Sequence, residues 1–190
     1  MSDTYIENKT FEKIDFQGTI FPKGNYENCT FNRCDFSGVN LSEVIFIECT
    51  FNSCNLSLIK ILGTEFMNVR FIDSKLLGVN FENCSKFLSS MSFDTCMLNL
   101  SSFFGLKIKK TLFKNSTLHE VNFTRAELSG SVFDTCDLSR AIFENTILEK
   151  VDFRTAWGYS IDPEKNTIKK AKFRVDGIAG LLHKYDIEIS

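Results

Sequence analysis

CTFNRCDFSGVNLSEVIFIECTFNSC, residues 29–54, begins and ends on cysteine and holds two more, Cys34 and Cys49. Two C-x4-C pairs lie close to zinc-ribbon spacing, so the first question is whether the stretch binds a metal. A second regularity in the same residues bears on it. Phe31, Phe36, Leu41, Phe46 and Phe51 fall every fifth place, and each cysteine stands two places before a member of that series as it extends in both directions.

Carried outward, the series runs from Ile6 through Phe11, Phe16, Phe21 and Tyr26 to Phe66, Phe71, Leu76 and Phe81 without a miss. The frame slips by two residues near Ser85 to Leu88, then resumes as Leu88, Phe93, Leu98 and Phe103 up to Phe153, with Ile168 and Phe173 back on it. Of the 20 phenylalanines only Phe87 and Phe104 are off the beat, where chance would put about four on it.

A period of five matches neither a helix nor a simple strand, since an apolar stripe at that spacing wanders around both. A chain that turns a corner at every unit removes the conflict. Each unit then gives one short, nearly extended side with its central residue pointing inward, four sides close a square coil, and coils stack as parallel ladders about 4.8 Å apart. Residues twenty apart should then share a column. Phe11, Phe31, Phe51 and Phe71 read as one column, Phe93, Phe113, Phe133 and Phe153 as another, Phe103, Phe123 and Phe143 as a third, and Leu98, Leu118 and Leu138 as one of leucine.

The corners leave a trace of their own. Two places after a centre, where a turn needs φ > 0, stand Gly18, Gly38, Gly63, Gly78, Gly105 and Gly130, with Asn8, Asn28, Asn68, Asn83, Asn115 and Asn145 in the same slot. Pro22 stands one place after a centre, as a turn prefers. The slot two before a centre holds small residues: Thr19, Val39, Val44, Val69, Val79, Ser101, Ala126, Ala141, Ala156 and all seven cysteines. Cysteine there acts as a small buried hydrophobe, which speaks against zinc. An odd count of cysteines and no secretory signal before the repeats speak against disulfides.

Units such as CDFSG (34–38), VNLSE (39–43), VNFTR (121–125), AELSG (126–130), CDLSR (136–140) and VDFRT (151–155) resemble the A(D/N)Lxx consensus of pentapeptide repeat proteins, over about Ile6 to Ala156. The resemblance implies an all-β, right-handed quadrilateral parallel β-helix over residues 1–156, with a short C-terminal helix. Residues 157–190 are similar to the closing segment of the Qnr and MfpA type. Asp162-Pro163 would turn, Ile168, Ala171 and Phe173 would form a last inward side, and Asp176 could cap a helix whose stripe is Ile178, Leu181, Leu182 and Tyr185. In such relatives this segment closes the coil and joins two protomers, so a homodimer through the tail is expected.

Composition bounds the rest. At 190 residues and 43% apolar the chain has ample core for one domain, and it has no apolar run long enough for a membrane span. Seven thiols and no targeting segment point to the cytoplasm. A net charge of −2 gives no reason to bind nucleic acid or a membrane directly. His119 and His183, the only histidines, sit on the outside, and no phosphate loop, nucleophile elbow or buried carboxylate pair stands out. The expectation is a non-enzyme with no cofactor, metal or small-molecule substrate.

What remains is the outside of the rod. The Qnr and MfpA resemblance implies a mimic of duplex DNA that occupies or protects type II topoisomerases such as gyrase. Glu7 and Glu27, Asp15 and Asp35, and Glu48 and Glu65 would supply the negative face. Beyond the slip the charges alternate: Asp94, Lys114, Asp134 and Arg154 share a column, with Lys107 over Glu127 and Glu120 over Arg140. The chain also lacks the projecting loops of the Qnr type. The alternative is a generic scaffold that binds through exposed apolar residues, namely Ile45, Ile47, Leu62 and Met67, or Phe104 beside Lys107, Lys109 and Lys110.

Overall fold

The computed structural model describes residues 4–85 and 90–188. Its strands are β1 (Thr4–Glu7), β2 (Thr10–Glu12), β3 (Gly24–Glu27), β4 (Thr30–Asn32), β5 (Ile45–Ile47), β6 (Thr50–Asn52), β7 (Glu65–Met67), β8 (Arg70–Ile72), β9 (Ser92–Asp94), β10 (Leu112–Lys114) and β11 (Val132–Asp134). β1, β3, β5 and β7 form one parallel sheet, and β2, β4, β6, β8, β9, β10 and β11 another. Parallel bridges from Asp15 through Asp35, Asn55 and Lys75 to Met97, and from Asn80 through Ser102 and Asn122 to Ile142, make two further sides. Four ladders therefore enclose one axis, as a right-handed quadrilateral parallel β-helix.

The side centred on Phe36 shows how a unit satisfies its backbone. Asp35 N–H donates to Ile14 in the coil before at 2.9 Å, while Phe36 and Gly38 N–H donate to Asn55 and Ser57 in the coil after at 2.7 and 2.9 Å. Val39 N–H closes the turn onto the Phe36 carbonyl at 2.9 Å. Ser37 N–H is taken by the Asp35 carboxylate at 2.8 Å. All five amides are accounted for. The same side-chain acceptor recurs at Asp15, Asn40, Asn55, Asn122, Asp137 and Asp152, which is the physical reason for the second letter of the repeat.

Positive φ two places after the centre is nearly universal and not confined to glycine and asparagine. Gly38 has φ 69°, but Lys13, Arg33, Glu43, Leu58, Leu100, Glu120 and Lys150 adopt φ of 53° to 63° as well. The amide at this position bonds the next coil, as in Glu43 N–H to Leu62 O at 2.9 Å, so the ladder holds the strained residue in place. Two expected corners differ. Asn83 ends a short 3₁₀ helix, Phe81–Asn83, and has no positive φ. At Pro22 no turn forms, and the chain enters β3 at Gly24, φ 149°, where a Cβ would stand 2.0 Å from the Thr4 carbonyl oxygen.

The core lies on the axis. Phe31, Phe51, Phe71, Phe93, Phe113, Phe133 and Phe153 are fully buried. The two expected phenylalanine columns are one, because β8 pairs directly with β9, Phe71 opposite Phe93. Phe11, Phe31, Phe51, Phe71, Phe93, Phe113, Phe133, Phe153 and Phe173 form a continuous stack of nine rings, 4.7 to 5.3 Å apart with planes within 2° to 12°. Across the slip Lys75 likewise stands opposite Met97 and Asn80 opposite Ser102, so these three sides keep register. Leu88 and Phe87, in that slip, lie outside the described residues.

The small slot divides by hydrogen bonding. At Val39, Val44, Val121, Ala126, Ala141, Val151 and Ala156 the slot's own N–H closes the turn onto the preceding centre. At Cys29, Cys34, Cys49, Cys54 and Cys96 the thiol instead donates to the carbonyl of a centre one coil back: Ile6, Phe11, Tyr26, Phe31 and Phe71, at 3.2 to 3.6 Å. Thr146 does the same with its hydroxyl, and Thr64 and Ser101 do both, the N–H closing the turn onto Ile61 and Leu98 while the hydroxyl reaches Leu41 and Leu76 one coil back. Cysteine is therefore a weak donor here as well as a small apolar body.

The tail departs from expectation. It carries 3₁₀ helices, Val175–Leu181 and His183–Tyr185, rather than an α-helix. Arg174 occupies the N-cap without a side-chain cap bond, and Asp176 sits in the first turn, paired with Arg174 at 2.9 Å. The i, i+3, i+4, i+7 stripe presumed 3.6 residues per turn, and at three per turn it splits.

Candidate interaction surfaces

The outward carboxylates sort by side of the rod. Glu7, Glu27, Ile47, Glu48, Glu65 and Met67 share the face built by β1, β3, β5 and β7, with Glu7 opposite Glu27, Glu27 opposite Ile47, and Ile45 opposite Glu65. Tyr5 donates to Glu27 at 2.6 Å, and that bond, with Glu27's charge, pushes the Tyr5 phenol up to about 12. Among the described residues no cation lies within 4.0 Å of Glu7, Glu27, Glu48 or Glu65.

Asp15 and Asp35 stack as expected but lie on a different side and serve the backbone. Burial raises the Asp35 carboxyl, yet bonds from Ser37 and Asn55 outweigh it and hold the group below its ordinary value. Phe104 stands on a third side, 39% exposed, with the Arg125 guanidinium 5.7 Å from its ring centre. Leu62 is 67% exposed on that side, two coils from Phe104. The sequence-level acidic and apolar candidates therefore do not form one patch.

Past the slip, acids find cations. Asp94 pairs with Lys114 at 3.4 Å, Glu120 with Arg140 at 3.3 Å, Glu144 with Lys165 at 3.7 Å, and Asp152 with Arg154 at 2.7 Å. Glu127 pairs with Lys109 at 2.7 Å and not with Lys107, whose backbone lies opposite it. Arg154 turns to Asp152 rather than Asp134, since a two-residue reach along its own side gives a bidentate fork. His119 faces Asp137 at 2.7 Å, half-buried; Asp137 also accepts Ser139 Oγ at 2.6 Å, so the serine hydroxyl is spent on the acid.

In the tail, Leu181 packs on the core and Leu182 is half-buried, while Ile178 is 43% and Tyr185 53% exposed beside exposed Val175 and Ile187. Sequence reasoning missed the groups that seat this segment. Tyr159 is buried, 5.6 Å from Phe153 and 5.7 Å from Phe173 between ring centres. Gly177 and Gly180 let the helix lie on it: a Cβ at either would come within 2.1 and 2.4 Å of Tyr159 oxygens. Lys184 then ties the tail to the last coil, reaching Asp162 at 2.8 Å and Glu164 at 2.6 Å. Two glycines three apart after a tyrosine off the beat were the available signal.

Among the described residues no helix is long and apolar enough to cross a membrane. A family model described as "Pentapeptide repeat region" matches residues 24–86, 44–123 and 74–153, together well over half of the 190 residues. A trypsin-treated form of QnrB1, a plasmid-mediated fluoroquinolone resistance protein, superposes with a TM-score of 0.57 at 18% identity, covering 99% of this chain and 99% of its own. A second trypsin-treated form gives 0.52 at 18% identity, over 99% and 98%. HetL, from the cyanobacterium Nostoc sp., gives 0.44 at 16% identity over 92% of each chain. No curated protein sequence matches. At these identities the likeness speaks for the fold alone.

Proposed function

Because this chain belongs to the pentapeptide repeat family, we propose that it is a non-enzymatic protein-interaction module whose acidic β1–β3–β5–β7 face docks on a basic protein surface. The most specific such surface is the DNA-binding surface of a type II topoisomerase. One observation carries this: Glu7, Glu27, Glu48 and Glu65 share a sheet face with no cation beside them among the described residues, whereas most acids past the slip are paired. Carboxylates held a coil apart on rigid ladders keep their charge available to a partner at no further ordering cost. The axis is filled by rings, which leaves the outside for function and fits a chain that binds and does not catalyse.

The test is gyrase supercoiling, with and without a fluoroquinolone, titrated with purified protein. A change in supercoiling or drug sensitivity that the Glu7→Gln, Glu27→Gln, Glu48→Gln, Glu65→Gln variant weakens about tenfold supports the proposal. No effect of the wild-type chain up to about 100 µM overturns the topoisomerase partner. A scaffold role is the second reading, favoured by the chequerboard past the slip, and pull-down on immobilised basic proteins separates it.

The exposed tail residues Val175, Ile178, Tyr185 and Ile187 are proposed as the homodimer contact. Ile178→Asp should convert dimer to monomer in sedimentation at any salt concentration. The seven thiols suit a reducing cytoplasm.

A further inference from the structure

The side that carries Leu62 and Phe104 has an apolar edge that the acidic face does not use. Among the described residues, every non-glycine residue at positive φ is polar or charged except two, Leu58 and Leu100, with φ 58° and 63°. Both stand on one edge of this side, a coil to either side of Gly78, since the Leu58 and Gly78 amides bond the carbonyls of Leu77 and Asn99 in the coils after. They are 66% and 62% exposed. A left-handed backbone disfavours leucine, and asparagine or glycine fills the same slot elsewhere with less strain, so the coil gains nothing from either side chain. Leu58 leans over Gly78, where a Cβ would stand 2.9 Å from its Cδ2.

The side reads alike from both ends about the coil of Gly78 and Asn80. Leu62 lies one coil before it and Phe104 one after, each directly following a centre. Exposed Ile20 lies three coils before and exposed Ile142 three after, each directly preceding a centre, Phe21 and Phe143. On the far edge Glu43 lies two before and Arg125 two after. Gly38 and Gly18 stand at the places that mirror the Glu120–Arg140 ion pair and leave room for it.

A two-fold axis parallel to the strands of this side, at Asn80, reverses the rod and brings every column onto its own kind. Leu58 of one copy then meets Leu100 of the other, Leu62 meets Phe104, Ile20 meets Ile142 and Glu43 meets Arg125, each twice. The like-charge approach is Glu82 on itself at the axis. Lys60, exposed and with no acid within 4.0 Å among the described residues, stands one coil and two residues away across the contact, within reach of Glu82.

We infer that this side binds a second copy of the chain, laid antiparallel along it, with Leu58 and Leu100 as the apolar seam and the Glu43–Arg125 pairs setting the register. Seven coils about 4.8 Å apart and a side about 13 Å wide give roughly 900 Å² in total, below a standard interface, so the dimer is weak and forms only at micromolar concentration. It leaves Glu7, Glu27, Glu48 and Glu65 uncovered and does not rest on the proposed function.

The experiment uses the full chain carrying Ile178→Asp, which removes the tail contact, in sedimentation velocity from about 1 to about 200 µM. A monomer at the low end that dimerises toward the high end is expected. Leu58→Asn with Leu100→Asn should weaken the dimer about tenfold or more without lowering the urea midpoint, because asparagine suits a left-handed corner. Glu43→Arg and Arg125→Glu should each weaken it, and an equimolar mixture of the two should restore it, which reads the contact whatever either substitution does to stability. Asn80→Cys, with its thiol at the axis, should give a covalent dimer with a short bismaleimide, and Asn52→Cys, on the opposite side of the rod, should not. No dimer at about 200 µM, a dimer unmoved by the two asparagines, no recovery on mixing, or a link from Asn52→Cys in place of Asn80→Cys overturns the inference. The supercoiling assay, run on the Leu58→Asn, Leu100→Asn chain whose acidic face is intact, reports the docking proposal separately.

Discussion

In the coils, Phe113 lies between Phe93 at 5.2 Å and Phe133 at 4.8 Å, fully buried, and each side hands its amides to the coil before and the coil after. In the tail, Val175–Leu181 has among the described residues one such rail, Ile161 N–H to Gly180 O at 2.9 Å, and is otherwise seated on Tyr159, with Leu181 packed on the core and the Lys184 clamp beyond it. The difference teaches that the two regions keep their shape by different means. A coil is held by repetition, since each neighbour reproduces the same contacts. The tail is held by a few contacts that do not recur.

The largest effect should come from the stack. Phe113→Ala should cost about 3–5 kcal/mol in urea unfolding, because the cavity has rings on both sides that cannot collapse. Phe173→Ala, half-buried with Phe153 on one side only, should cost less than half of that. Equal costs would mean that coils and tail are one cooperative unit, and the comparison would fail. Next is Gly180→Ala. Its Cβ would meet the Tyr159 carbonyl at 2.4 Å, backbone that cannot yield, so the tail should lift and protease should cut near residue 177. Gly38→Ala, φ 69° with open space around it, should cost about 1 kcal/mol and leave the tail protected.

Alkali sharpens the contrast. Burial pushes the Cys49, Cys54, Cys96 and Cys136 thiols up to about 12. Their folded value lies above the unfolded one of about 8.5, so the stability they confer is complete below that and falls as pH rises toward 12. Circular dichroism should show the coils loosening over that window, and a thiol reagent at pH 8 should label only unfolded chain. The smallest effect belongs to Lys184→Met. The overall unfolding midpoint should hold, while amide exchange speeds up between Leu182 and Tyr185 alone.

What the sequence made legible is what repeats. The centres, the small corner slot and the column partners all follow from one period, and the structure places them so. The joining of the phenylalanine columns was hidden because register across the slip is set by β8 meeting β9 and not by counting. The acidic strip was visible residue by residue, but its split from Asp15, Asp35 and Phe104 depends on which side each occupies. Lys109 rather than Lys107 reaches Glu127, and Arg154 chooses Asp152, because side-chain reach and rotamer decide pairs that backbone register leaves open. Gly24, Tyr159, Gly177 and Gly180 matter through contacts with distant chain, which no local pattern announces.

The hydrogen bonds of the Phe36 side have one more consequence. Two of its amides point toward the C-terminal end of the rod and one toward the N-terminal end. Summed over the sides, the peptide groups do not cancel; each side leaves about one net dipole of about 3.5 D, with its oxygen end toward the start of the chain. The rod therefore has an electrical direction opposite to that of an α-helix: it opens on a rim rich in acceptors and closes on one rich in donors. Any group that covers the first coil has to bring N–H or O–H with it.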